Sequence, residues 1–173
     1  MNDPEISCQI RYAVVTIQDR DALLGVLREL AGRSAARIVC FDAEKMAGRA
    51  HAKAALRHAN RSFTRGSPIS NSFEMEALLY AAGTRQCSAA VAFGLHEGEN
   101  HLYICCCPTR PDIWDELAGS MHFLDEPDDG ISPQKAARLA ALFGISPIEL
   151  DAAGEDHIRD LVLERVALLN VSK

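Results

Sequence analysis

Apolar residues along this chain change their spacing several times, and the changes divide it into elements. Ser7 to Ile17 is rich in Ile, Val, Tyr and Thr, which suits a pleated strand. From Asp21 to Ala31, Leu23, Leu24, Leu27 and Leu30 fall at helical spacing, and Gly32 closes the run. The block Ile38-Val39-Cys40-Phe41 predicts a buried strand within Arg37 to Asp42. A long alanine-rich helix follows, from about Glu44 to Phe63, with Ala52, Ala55, Leu56, Ala59 and Phe63 on one stripe.

Asn71 with Glu74 three residues later reads as a helix N-cap and its reciprocal partner. That helix runs to Ala82, buries Met75, Leu78, Leu79 and Ala82, and stops at Gly83. After a short helical turn, a strand is predicted over Val91 to Leu95, a hairpin turn over His96 to Asn100, and a returning strand over Leu102 to Cys106. Asp112 to Gly119 reads as helical and carries the single tryptophan, Trp114, and Asp125 to Gly130 as an acidic surface loop. Ser132-Pro133 and Ser146-Pro147 each pair an N-cap with Pro at the first helical position, and Glu149 completes a capping box in the second. A last helix from about Glu155 buries Ile158, Leu161, Val162 and Leu168 or Leu169. The expected architecture is α/β (α+β-like). One compact domain spans residues 1–173, with a small mixed sheet of about four strands flanked by helices.

Composition narrows the class. A hydrophobic fraction of 48% with 24% charged residues is that of a globular chain. The longest apolar runs fall far short of a membrane span, and Met1 to Glu5 lacks the basic-then-apolar order of a signal peptide. A cytoplasmic location without a membrane partner is expected. Cys105, Cys106 and Cys107 alternate faces along a strand, so they do not converge on one metal. Reduced core thiols are the expectation for all six cysteines, with no metal and no cofactor.

Charge is what stands out. Lys45, Arg49, Lys53, Arg57, Arg61 and Arg65 recur every fourth residue, with no acid between them. The formal charge is −6; without these six of 18 basic residues it would be 12 minus 24, or −12. Ordinary helix surfaces mix signs, so this segregation suits a phosphate backbone. Asn71, Ser72 and the free N–H groups at the next helix start extend the same anion-binding character. Evidence for catalysis is thin: no phosphate-binding glycine loop, nucleophile elbow or zinc-protease motif is present, and the six histidines are scattered. Glu74 and Glu76, two apart on a helix, diverge by roughly 200° and cannot share a substrate; capping and solvation account for them.

The run Pro68-Ile69-Ser70-Asn71-Ser72-Phe73-Glu74-Met75-Glu76-Ala77-Leu78-Leu79, then Ala82-Gly83, Gln86, Ala90 and Phe93-Gly94, resembles the smallest core subunit of the KEOPS complex, the Cgi (PRPK-binding protein) family. The resemblance extends over residues 7 to 171 and is most specific over 68 to 94. It implies a non-catalytic subunit, not an enzyme, in a complex that installs threonylcarbamoyl on tRNA adenosine. The implied partners are the small kinase/ATPase subunit, contacted directly and regulated, the transferase subunit of the same complex, contacted indirectly, and tRNA through its 3′ end. Asn71, Ser72 and Gln86 carry over as tRNA contacts, joined by the ladder residues Arg49, Lys53, Arg57, Arg61 and Arg65. Leu168, Leu169 and Val171 are the expected kinase interface. The alternatives are a protein-interaction module without RNA affinity and a small enzyme with a Cys/His or metal site.

Overall fold

Strand order sets the layout of the protein. The computed structural model describes residues 5–126, 130–154 and 157–171. Strands β1 (Gln9–Ile17), β2 (Arg37–Asp42), β3 (Gly98–Cys107) and β4 (His122–Leu124) form one sheet in the order β2-β3-β1-β4. Every pairing is antiparallel, so the sheet is not mixed as expected. The long β3 is central: Gln9 to Ile17 pair with Cys106 to Gly98 on one side, and Arg37 to Asp42 with Cys107 to Leu102 on the other.

The predicted 91–106 hairpin does not form. Val91–Phe93 is a 3-10 turn, and residues 98–100 already belong to β3. Asn100 explains this. Its buried amide donates to the carbonyls of His96 and Gly98 and accepts from the His96 N–H, so this polar stretch is pinned as the entry to a strand.

Helices cover both faces of the sheet. On one face α1 (Arg20–Arg33) packs Leu27 and Leu30 against Ala13, Ile38, Leu102 and Ile104. Further along the chain, α5 (Pro111–Ala118) adds Ile113, Trp114 and Leu117 there. The other face carries the larger core, built from α2 (Arg49–Thr64), α3 (Phe73–Ala82), α6 (Pro133–Leu142) and α8 (Ile158–Leu168) over Ile10, Val39, Phe41 and Tyr103. The short α4 (Cys87–Ala90) and α7 (Pro147–Ala153) complete the helices. Ser132 and Ser146 cap α6 and α7 as expected, their hydroxyls accepting from Lys135 and Glu149 N–H groups. The expected loop residues 127–129 and the helix start at Glu155 lie outside the described residues. Among the described residues, no helix is long and apolar enough to cross a membrane.

Two corrections bear on function. The helix expected from Glu44 begins only at Arg49, because Asp42 caps a separate 3-10 turn over Ala43–Lys45 and Gly48, at φ 87°, resets the chain direction. Lys45 is therefore not on the ladder helix. The cysteines are not all thiols either: Cys8 and Cys107 form a disulfide. Cys8 continues the β1 register one residue beyond Gln9, which faces Cys106, and so meets Cys107 across a Cα–Cα distance of 4.3 Å. Cys105 and Cys107 point into the larger core and Cys106 into the other, as a period of two requires.

Candidate functional site

The α2–α3 hairpin brings the end of the basic ladder to the start of the Pro68–Ser72 turn. This turn is built around a single carboxylate. Glu76 is fully buried, and its oxygens accept from the Ile69 N–H at 3.0 Å, the Ser70 N–H at 2.8 Å and the Ser70 hydroxyl at 2.8 Å. Solvation therefore does not describe Glu76. The helical divergence of Glu74 and Glu76 sends one carboxylate under the turn and the other to the surface groove described below. Ser72, not Asn71, is the N-cap of α3; its hydroxyl accepts from the Met75 N–H at 3.2 Å and leaves Asn71 exposed beside it. Phe73 is buried, with the Arg37 guanidinium 4.5 Å from its ring centroid and 5.7 Å from that of Phe63.

Two buried histidines fix the hairpin. His51 Nδ1 accepts from the Ala47 N–H at 2.9 Å, which leaves Nε2 to donate to the Ala81 carbonyl at 2.8 Å. Burial lowers its pKa to about 4, so the ring is neutral. His58 stacks on Tyr80 and accepts from Asn170, whose carbonyl in turn accepts from the Tyr80 hydroxyl at 2.6 Å. This ties the end of the chain's last helix to α2 and α3.

A groove of about 570 Å³ opens beside the turn, along the outer edge of β2 and between α1 and α3. Ile38, Val39 and Cys40 form its floor; Leu24 and Leu27 line one wall, Met75 and Leu78 the other. Because β2 is an edge strand, alternate residues turn unpaired backbone N–H and C=O groups outward along this floor. The rim is polar. Arg20 and Arg28 stand on the α1 side, and Ser72 and Glu74 on the α3 side. Arg20 Nε is shielded from solvent and has no hydrogen-bond partner among the described residues, so it is a donor open to an acceptor. Burial pushes the Cys40 thiol up to about 12, which leaves it an inert part of the floor. Chemically the groove offers apolar walls for a flat ring, backbone groups for its edge, and guanidinium groups for phosphate oxygens.

The ladder divides. Arg49 is a structural clamp: Nε donates to Glu126 at 2.6 Å and an Nη to the Ile10 carbonyl at 2.6 Å, while Tyr103 donates its hydroxyl to the same Glu126 carboxylate. Lys53 and Arg57 are exposed beside a shallow cleft that includes Glu5, Ile6 and Leu56. Arg61 is half-buried and Arg65 exposed at the C-cap. Gln86 is exposed just before α4, past the far end of α3. At 1.5 Å per residue that end is about 15 Å from Ser72. The structure thus joins Ser72 to Arg20 and Arg28, with Arg37 over the adjacent Phe73, three arginines that sequence reasoning missed; Arg65 and Asn71 lie in the α2–α3 connection, and Arg49 and Gln86 lie away from it. The four-residue steps from Arg20 to Leu24 to Arg28 were a signal for one helical face; nothing in the sequence marked Glu76 as buried.

At the other end of the molecule the expected partner surface also divides. Leu169 is 4% exposed and packs in the larger core, so it is not available for docking. Leu168 at 47% and Val171 at 80% are exposed. Leu142, also exposed, lines a shallow cleft with Leu168, Gly83 and Arg165.

No protein-family model matches the chain, and no curated protein matches it.

Proposed function

We propose that this protein is a non-catalytic KEOPS subunit of the Cgi type, which takes up the unpaired 3′ end of tRNA and docks on the complex's small kinase/ATPase. The observation that carries the reading is the groove beside the Glu76-anchored turn, which has apolar walls, an open strand edge and a guanidinium rim. An unstacked base needs a flat apolar contact and edge hydrogen bonds, and the flanking phosphates need cations. Arg20 and Arg28 supply charge at the rim and Arg37 over the adjacent Phe73, with Arg65 at the end of α2 and Lys53 and Arg57 further along it. The kinase would meet Leu142, Leu168 and Val171, whose exposed apolar surface lies beyond the opposite end of α3.

The test is binding of the full chain to intact tRNA and to tRNA trimmed of its unpaired 3′ end, across a salt series. Salt-sensitive binding that is lost on trimming supports the reading. Equal binding of both RNAs, or none, overturns the 3′-end assignment. A second reading, a protein-interaction module without RNA affinity, is favoured by the exposed apolar residues near the C-terminus. It predicts that Leu168→Asp abolishes kinase binding while no RNA is bound at any salt concentration.

A further inference from the structure

We infer that the Cys8–Cys107 disulfide is a reducible clasp, opened by a dithiol reductant, that controls a basic trough on the α2 side of the sheet. The inference rests on the RNA-binding reading only for what the trough would hold. Residues 5–8 lie outside the β1–β3 ladder, and no hydrogen bond among the described residues holds them. Ile6 packs on the core, and the disulfide is the covalent tie. Glu5 and Ile6 line two clefts at once. One, of about 480 Å³, contains Arg37, Thr64 and Cys107; the other, of about 290 Å³, contains Cys8, Lys53 and Arg57. The segment is the wall between them, and it carries the acid Glu5. Releasing it joins the clefts into one channel from Lys53 and Arg57 to Arg37, whose guanidinium sits over Phe73 at the start of α3.

Cys8 is half-buried and lines an open cleft, whereas Cys107 is 3% exposed, so a reductant approaches the bond from the Cys8 side. Its thiolate attacks Sγ of half-buried Cys8, and the S–S electron pair leaves on Sγ of Cys107, which takes a proton. The reductant's second thiol then displaces Cys8 as a thiol and closes the reductant's own disulfide, so two electrons and two protons pass to the protein. Arg37 faces Cys107 in the β2–β3 register and lines the same cleft. Internal exchange does not compete: burial raises the neighbouring Cys105 thiol well above its usual pKa and keeps it protonated. The nine-residue β1–β3 ladder remains to hold the sheet when the clasp opens.

The experiment titrates the full chain with reduced and oxidised dithiothreitol. It reads free thiols by alkylation and mass, backbone order by nitrogen-15 relaxation, and affinity for single-stranded RNA. Alkylated in denaturant after an acid quench, because Cys40, Cys105 and Cys106 are buried in the folded protein, thiols are expected to rise from the four free cysteines to all six. Order parameters at Ile6 and Ser7 are expected to fall from about 0.85 to below about 0.6, with residues 10–17 unchanged. RNA affinity is expected to rise about three- to tenfold. Cys8→Ser should hold the protein in the open, tight-binding state without reductant. Six thiols before reduction, unchanged order at 5–8, or loss of order throughout β1 would each overturn the clasp. Local loosening with unchanged RNA affinity would support the clasp and overturn RNA binding in the trough.

Discussion

Helices α2 and α3 lie side by side, yet they carry function in opposite ways. The α2 helix displays a long regular pattern, and the fold breaks it up: Arg49 clamps Glu126 and Ile10, while Lys53 and Arg57 stay exposed. The α3 helix displays no charge pattern, and one buried carboxylate shapes its entire approach. A repeat in sequence fixes direction around a helix. What each position meets is decided by the neighbours that cover it.

The sharpest way to break this comparison is at Glu76. Glu76→Ala removes the acceptor for two N–H groups and a hydroxyl at a fully buried position. Charged hydrogen bonds and unsatisfied donors together put the expected loss at about 3 kcal/mol or more, read as a lower denaturant midpoint. Glu74→Ala, two residues away and half-exposed, is expected to cost under about 0.5 kcal/mol. Equal costs would mean that the turn does not depend on the buried carboxylate.

Next in size is a pH effect that belongs to the α2–α3 contact. His51 has its folded pKa lowered to about 4 by burial, against about 6.5 when unfolded. Above pH 6.5 the ring is neutral in both states and its contribution is complete. As pH falls from 6.5 to 4 only the unfolded state takes up the proton, so stability declines by about 3 kcal/mol and then levels for this group. His51→Gln can keep a donor and an acceptor without titrating. A slope in that window that is the same in His51→Gln would remove His51 as its source.

What could be read in advance follows from the range of each signal. The bounds of β2, the caps at Ser132 and Ser146, and the alternating cysteines came from residues within a few positions of one another, and they hold. The Cys8–Cys107 bond depends on register between segments 99 residues apart, which no local pattern reports. The false hairpin arose because Asn100 looks like a turn residue until its amide is found bonded to His96 and Gly98. The groove was invisible for a similar reason. Arg20 and Arg28 become a rim only because α1 packs along the uncovered edge of β2.

The smallest effects on stability carry the most information about function. Arg20→Glu with Arg28→Glu leaves the core untouched, since both side chains stand at the groove rim. RNA affinity is expected to fall about ten- to a hundredfold, and the log–log salt slope to lose about 0.7 for each phosphate no longer neutralised. Lys53→Ala should shift stability by no more than about 0.5 kcal/mol and lower the salt slope less than the paired rim reversal does. Arg49→Ala is the opposite case. It should cost about 1–2 kcal/mol of stability by freeing the Glu126 carboxylate and the Ile10 carbonyl, with no change in the salt slope. If Arg49 moved the slope and the groove pair did not, the ladder would be the RNA surface and the groove only a gap between helices. The two arginine sets differ in what already occupies them: Arg49 has its acceptors within the protein, whereas Arg20 Nε has none among the described residues.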